Sequence, residues 1–530
     1  MNPQLSDAFA SGATYSDLIV EVFDRFCDKE AFVLGEQRMT FSEAAASMSR
    51  IQQVLAGLGV ARRDGVGALS VNLPEVWLAQ AATYLLGARY TGLHSMGSVD
   101  DHVAICDEAE LKVLVVHPLF AAAGQQIVES SRTVKHLLVF GEADVGSNLF
   151  DLMAEHQPRA LEPGPAAEED IAWLQYTGGT TGKPKGAMLP HRAMVELTNA
   201  TLASWQIPTA PRYLVAPPIT HASVLPLFST LARGGTAVLQ QSFQPQAYLE
   251  AIEQEQINFT FMVPTMLYAL LDHTKPDEYD VSSLETICYG AAPITPTRLA
   301  EALERFGPKF VQAYGQTECV GVTTSLLREE HDPHGRPDLL TSCGRPVIGT
   351  KVTILDDSDQ PVPDGTPGEL CVHSRAVMSG YWKMPELTAQ TLRDGWLHTG
   401  DIAIRDAIGY LHIVDRKKDM IITGGFNVYP KEVEDAMASH PDVASVAVVG
   451  LPHPKWGEAV TAYVVSREGV TIDHEALKAH VREAKGPHQT PKDIIVIESL
   501  PTTAVGKIDK KQLRTIGSGV ETPAEQGVSQ

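Results

Sequence analysis

The chain of 530 residues is 44% hydrophobic and 20% charged, the make-up of a globular protein with room for several domains. Its formal charge is -23, from 42 basic and 65 acidic residues, and it carries no sizeable basic block, which excludes nucleic acid as a main partner. An acidic chain of this kind binds a polyphosphate only through cations gathered in local motifs.

The N-terminal stretch MNPQLSDAFASGATYSD has no positive region ahead of an apolar core, so no signal peptide is read. No run approaches the roughly eighteen uninterrupted apolar residues of a membrane span. Six scattered cysteines (Cys27, Cys106, Cys288, Cys319, Cys343 and Cys371) form no CxxC pair. They fit a reducing compartment without a zinc site or disulfide framework, and a cytoplasmic protein is expected.

Residues 13 to 120 alternate helical stretches with short apolar runs, among them GALSV from Gly67 and LKVLVV from Leu111. The alternation predicts βα units on a mainly parallel sheet. Next, the apolar run IAWL from Ile171 ends in YTGGTTGKPKG, residues 176 to 186. Its glycines let backbone N–H groups converge on an anion, while threonine hydroxyls and lysines add donors and charge. A Walker loop is excluded, because Thr177 stands where its first glycine is due and Pro184 would break the helix it needs. On composition alone, phosphate binding and a bland surface loop stand level.

The βα alternation resumes through Val311. YGAAPI (289–294) sets three small residues at the end of an apolar run, where a flat ring can slide against backbone or the chain can simply turn. QAYGQTE (312–318) gathers an aromatic ring, a glycine, a hydroxyl and a carboxylate. Beside phosphate-binding residues such a carboxylate is a magnesium-type ligand; at a helix start it also serves as a dipole partner.

From 349 to 414 the texture changes to short strands and Gly/Pro/Asp turns, predicting a small antiparallel sheet or barrel. There DGWLHTGD (394–401) offers Asp401 for a ribose diol, or else a hairpin turn. VDRKKDMIITGGFNVYP (414–430) reads as a solvated linker by charge, though Gly424-Gly425 and Pro430 mark a shaped surface. A helix from Pro430, strands at 443–450 and 459–465, a helix from His474 and a strand at 494–497 predict a compact α+β unit of about a hundred residues. Within PTTAVGKIDKKQLR (501–514), Lys507 lies on a loop, where a lysine is ordinarily surface charge. The tail after Leu513 is expected to fray.

Taken in order, YTGGTTGKPKG, YGAAPI, QAYGQTE, DGWLHTGD, VDRKKDMIITGGFNVYPKEVE and GKIDKK resemble the motifs of the adenylate-forming superfamily. That superfamily contains acyl- and aryl-CoA synthetases, peptide-synthetase adenylation domains and firefly luciferase. The resemblance runs from about residue 15 to residue 514. It implies an α/β protein whose large N-terminal domain, 1–416, joins βα subdomains to a small β-barrel-like one. A hinge at 417–418 and a mobile α+β domain, 419–530, would follow. It also implies that a carboxylic acid, ATP and Mg2+ give acyl-AMP and pyrophosphate, after which the acyl group passes to coenzyme A. No nucleic acid or membrane span is expected, and a homodimer is admissible.

Carried over by motif, Thr177, Gly178, Gly179, Thr180, Thr181, Gly182 and Lys183 wrap the β- and γ-phosphates; Gly178 stands where relatives often have serine. Gly290, Ala291 and Ala292 line the adenine with Tyr314 stacking nearby, and Gln312, Gly315 and Ile413 complete the nucleotide site. Thr317 contacts the α-phosphate, Glu318 ligates Mg2+, and Asp401 holds the ribose with Arg416 beside it. Lys507 bridges the acid's carboxylate and the α-phosphate, so the catalytic set is Lys507, Thr317, Glu318 and His221. Lys418 is the hinge pivot, and Gly424 and Gly425 face the incoming thiol of CoA. His221, within PPITHASVLPLF (217–228), resembles a pocket-gating residue, and it shares the acyl pocket with Gly290, Ala313, Gly315 and Gly321. Ile422 replaces a lysine that assists thioester formation in some relatives.

PPITHASVLPLF has no acid to pair with a substrate ammonium, and no carrier-protein domain follows Arg514. Both favour a stand-alone ligase for a fatty, aromatic or steroidal acid and CoA. A ligase loading a separate carrier protein is the alternative, ahead of a non-enzymatic nucleotide-binding protein.

Overall fold

The computed structural model describes residues 12–177, 184–273, 278–467, 469–502 and 508–517. Two large sheets organise residues 30–346. One has seven strands in the order Ser147–Asn148, His136–Val139, Leu111–Val116, Gly65–Leu69, Arg89–Leu93, Ile171–Thr177 and Lys185–Pro190. Only the last pair is antiparallel.

The other has nine: Arg345–Pro346, Thr324–Leu326, Phe310–Tyr314, Thr286–Gly290, Phe259–Met262, Arg212–Val215, Thr236–Leu239, Glu30–Leu34 and Gln37–Thr40. Its middle strands, from Phe310–Tyr314 to Glu30–Leu34, are parallel, and the outer ones are antiparallel. Strands such as Gly65–Leu69 and Thr286–Gly290 are buried at every position, as parallel strands covered on both faces must be.

The sequence pattern predicted a mainly parallel sheet without dividing it in two. Alternation reveals strand type, but not that Glu30–Leu34 pairs with Thr236–Leu239 some two hundred residues later. One apolar core lies between the sheets, taking Val66, Val115 and Trp173 from the first and Phe32, Tyr213 and Val311 from the second. Trp77 stacks between Phe23 and Phe228 there, with ring centroids 5.6 and 6.1 Å away. The helices around this core start on local signals. Thr14 with Asp17 and Thr40 with Glu43 form capping boxes at Tyr15–Arg25 and Phe41–Gly57, and Pro74 opens Pro74–Leu85.

The antiparallel region is present as expected: Thr350–Leu355, Gly368–Ser374, Trp396–Arg405 and Leu392–Arg393, with Leu411–Arg416 on the far side of Trp396–Arg405. Asp394 and Gly395, at φ 51° and 80°, make the two-residue turn between Leu392–Arg393 and Trp396–Arg405. That left-handed pair matches the twist of a hairpin.

The C-terminal sheet orders Phe426–Val428, Ile421–Thr423, Gly457–Ser466 and Val443–His453, with Asp493–Val496 parallel to Gly457–Ser466. The two long strands outrun the predicted 443–450 and 459–465, because pairing continues through the proline to His453 opposite Gly457. Helices Pro430–Ala438 and His474–Lys485 cover a separate core of Val433, Met437, Val448, Val464 and Leu477. Among the described residues, no helix is long and apolar enough to cross a membrane.

Candidate active site

Strands Ile171–Thr177 and Lys185–Pro190 form a hairpin whose last pair is Thr177 with Lys185. A strand therefore follows the glycine-rich stretch, where a Walker loop would have a helix. Gly178, Gly179, Thr180, Thr181, Gly182 and Lys183 lie outside the described residues, as does Lys507. The flanks of Lys507 meet in a bridge between Thr502 and Ile508, and the Asp509 N–H donates to the Pro501 carbonyl at 2.8 Å.

Strands Thr286–Gly290 and Phe310–Tyr314 end side by side, with Gly290 opposite Ala313. A Cβ on Gly290 would stand 2.2 Å from the Ala313 carbonyl oxygen, and one on Gly315 would stand 2.3 Å from the Gly321 carbonyl carbon. Close backbone approach therefore requires both glycines, whatever they line. Beyond Gly290, Ala291 has φ 65°; beyond Tyr314, Val320 and Gly321 have φ 52° and 74°. A β-branched residue in the left-handed region is strained, and such strain gathers at functional sites. The Gln316 carbonyl closes the second turn by accepting from the N–H groups of Cys319 and Gly321, at 3.0 and 2.8 Å. Thr317 and Glu318 sit on its single 3-10 turn, Thr317–Cys319.

Two further elements converge on that turn. From the antiparallel sheet, Asp401 lies opposite Arg416 across the strand pair. Its Oδ1 is 3.1 Å from Arg416 Nε, and its Oδ2 accepts from the Tyr314 hydroxyl at 2.6 Å. Burial first and the Asp401 charge second push the Tyr314 phenol well above the usual tyrosine range, so it stays a donor. Tyr314 and Ile413 both pack on the small core of Cys343, Leu370 and Leu411. Gln312 Oε1 is buried and has no donor among the described residues.

From the other side comes the segment 378–382. Its Tyr381 hydroxyl donates to Glu318 Oε1 at 2.7 Å, and its Met378 N–H donates to the Glu318 carbonyl at 2.8 Å.

His221 follows a turn in which its N–H donates to the Pro218 carbonyl at 3.0 Å. Its Nδ1 is 2.9 Å from Thr220 Oγ1, and its ring meets that of His94 edge-on at 4.8 Å. Asn72 fixes this loop. Its Nδ2 donates to the carbonyls of Ala216, Pro217 and Gln240 at 3.2, 3.0 and 2.9 Å, and its Oδ1 accepts from the Ile219 N–H at 2.7 Å. A Cβ on Gly321 would stand 2.5 Å from Leu225 Cδ1, so Gly321 lies against the segment that carries His221.

Farther along, the Lys417 N–H donates to the Gly400 carbonyl at 2.8 Å, which sets Lys418 next to the Asp401 strand. Gly424 and Gly425, at φ 58° and 84°, form the turn between Ile421–Thr423 and Phe426–Val428, where Ile422 and Phe426 are exposed.

The structure thus gathers Tyr314, Gly315, Thr317, Glu318, Gly321, Asp401 and Arg416 around one turn, with Gly290, Ala291 and Ala292 beside it. Tyr381, Asn72 and His94 were not singled out from the sequence. Asn72 and His94 follow the ends of parallel strands, where ligands settle in open α/β sheets, and that position was the available signal.

The profile of the AMP-binding enzyme family matches residues 20–382, and that of the AMP-binding enzyme C-terminal domain matches residues 432–507. A medium/long-chain-fatty-acid–CoA ligase, FadD8 of Mycobacterium tuberculosis, is 42% identical, covering 94% of this chain and 89% of its own. A feruloyl-CoA synthase of Amycolatopsis is 36% identical, covering 91% and 94%. Among solved structures, the amide bond synthetase McbA of Marinactinospora thermotolerans superposes with a TM-score of 0.88 at 34% identity, covering 95% of this chain and 100% of its own.

Proposed function

Because the chain belongs to the family of AMP-binding enzymes, we propose that this site is that of an AMP-forming acid–CoA ligase. It condenses a carboxylic acid with ATP to acyl-AMP and pyrophosphate, then transfers the acyl group to the thiol of CoA. The observation that carries the reading is the convergence on one strained turn of Asp401, held by Tyr314 and Arg416, and of Glu318. The relatives named as CoA ligases, 42% and 36% identical, favour CoA over a carrier protein as acceptor.

A carboxylate attacking a triphosphate meets like charge, so cations and aimed donors must neutralise it. In this reading Asp401 accepts from both ribose hydroxyls, Tyr314 presents its ring to the base, and Gln312 Oε1 accepts from the base's amino group. The Thr317 hydroxyl donates to the α-phosphate. Thr177 and residues 178–183 wrap the outgoing pyrophosphate, and Lys507 brings its ammonium between the acid and the α-phosphate. Glu318 has one oxygen engaged by Tyr381, and its other oxygen would hold a magnesium ion. Such an ion, when bound, offsets the charge of the triphosphate.

Residues 1–416 would act as the large domain and 419–530 as the moving one. Rotation at Lys418 would withdraw Lys507 and bring the Gly424–Gly425 turn toward the site for the thiol step. The acid is an alkyl or aryl acid with an uncharged body, since 217–228 holds no carboxylate for an ammonium. The fatty-acid and feruloyl relatives support that class, and the scattered free cysteines support a cytoplasmic setting.

The test is a panel of alkyl, aryl and α-amino acids, assayed for pyrophosphate release and, by mass spectrometry, for CoA thioester. An α-amino acid turned over as fast as the best simple acid would overturn the substrate class. Pyrophosphate release without a CoA thioester would overturn the acceptor.

A further inference from the structure

The segment 378–382 is built as a brace between two parts of the site. Against the strand Lys185–Pro190, which leads out of the glycine-rich stretch, the Ser379 N–H donates to the Met188 carbonyl at 2.8 Å. The Met188 N–H returns a bond to Gly380 at 2.9 Å, and the Trp382 N–H donates to Gly186 at 2.8 Å. Gly380 has φ 137°, a conformation open to glycine alone. Trp382 anchors the far end, with its Nε1 donating to the Glu108 carbonyl at 2.8 Å and its ring 4.6 Å from the Arg89 guanidinium. Held in this way, the same five residues grip Glu318 twice, through Met378 at its backbone and through Tyr381 at its carboxylate.

We propose that Tyr381 is a positioning residue for adenylation, its hydroxyl fixing the Glu318 carboxylate so that one oxygen stays turned toward the nucleotide's phosphates and their cation. The proposal rests on the reading of Glu318 as a ligand of that cation. A glutamate side chain on a short turn rotates about three bonds, and it costs entropy to hold in one pose. A buried phenol on a ring with two torsions restrains it cheaply. The 2.7 Å separation is that of a strong charge-assisted hydrogen bond. Tyr381 is 7% exposed and belongs to the main core. Burial, then the Glu318 charge, keeps its proton on the phenol. The Lys185 ammonium stands over the same ring, 5.6 Å from its centroid. One tyrosine thus meets both the lysine that follows the glycine-rich stretch, at its ring, and Glu318, at its hydroxyl.

Tyr381→Phe removes the hydroxyl and keeps the ring. The expected result is about a 10- to 100-fold loss of ATP–pyrophosphate exchange, the usual effect of deleting a partner of a metal ligand. Manganese binding in the presence of a non-hydrolysable ATP analogue, followed by electron paramagnetic resonance without turnover, should weaken by a similar factor. Thioester formation from supplied acyl-AMP should be unchanged. A merely structural role would depress both half-reactions together, and that outcome, or unchanged manganese affinity, overturns the proposal. Glu318→Gln is measured in parallel. If it leaves manganese affinity intact, the reading of Glu318 itself fails. If it abolishes binding while Tyr381→Phe does not, only the positioning role fails. Adding Tyr381→Phe to Glu318→Gln should cost nothing further, a comparison that holds even if the single variant is less stable.

Discussion

Tyr314 reaches across 2.6 Å to Asp401 and so fastens the end of the nine-stranded sheet to the antiparallel one. Each oxygen of Asp401 is engaged, one by the phenol and the other by Arg416, and the residue is 3% exposed. A carboxylate held this way is aimed before any ligand arrives.

Tyr314→Phe should therefore weaken ATP binding about tenfold, the order expected for losing one hydrogen bond to a charged group. The KM for the acid should stay constant. Calorimetric titration with a non-hydrolysable ATP analogue checks the first claim and steady-state kinetics the second.

Lys507→Ala should reduce acyl-AMP formation by orders of magnitude while sparing thioester formation from supplied acyl-AMP. On the proposed mechanism the lysine travels with the C-terminal unit and is needed in only one of its orientations. Separate assays of the two half-reactions decide the matter, and equal losses would end the alternation scheme.

Gly321→Ala places a methyl group 2.5 Å from Leu225 Cδ1 at a residue with φ 74°. Strain there should cost about 1 kcal/mol or more of stability. Turnover of long or broad acids should fall relative to short ones, with the KM for ATP unchanged. Adding Leu225→Ala should restore the bulky acids; a melting curve and an acid-length series measure both effects.

Two buried histidines should make the protein acid-labile. Burial pulls the imidazoles of His191 and His331 down to about 4. His331 has Nδ1 2.7 Å from the Leu327 carbonyl, to which it donates, and Nε2 3.0 Å from the Tyr289 hydroxyl, from which it accepts, so its neutral form is the bonded one. Unfolded histidine titrates near about 6.5, so the unfolded state binds more protons between that pH and about 4. Stability is then full above the unfolded value and falls with pH by about 1.4 kcal/mol per unit per histidine. Urea titrations between pH 7 and 4.5 should show a shallower fall for His331→Gln; parallel slopes would contradict the assignment.

The order of motifs and the antiparallel texture of 349–414 were legible in the chain, and a hairpin turn was one of two readings of 394–401. Gly424-Gly425 read only as a shaped surface, and the structure makes it a strand-to-strand turn. Each is a local choice of backbone conformation, which residue type controls directly. The bond from Tyr381 to Glu318 was not, because it joins positions 63 apart that only packing against Lys185–Pro190 brings together. Asn72 and the loop it holds lie farther apart still, on different sheets. For Gly290 the sequence left open a surface for a flat ring or a tight turn, and Gly315 entered the site only by resemblance. The structure supplies a prior reason, since neighbouring backbone fills the space a side chain would take.

Asn72 also bears on re-engineering. A loop spanning 217–228 transplanted from a relative, in order to change the preferred acid, arrives with one carbonyl, at 217, and one N–H, at 219, that meet the Asn72 amide here. Where the amide is lacking, the Ile219 N–H loses its acceptor and the carbonyls of Ala216 and Gln240 lose a donor, while the Pro217 carbonyl keeps the Ser223 hydroxyl at 2.7 Å; each buried group left unpaired costs about 1–3 kcal/mol. Chimeras at this pocket should be cut so that position 72 travels with the loop, and failures of simpler swaps should show as aggregation before they show as altered selectivity.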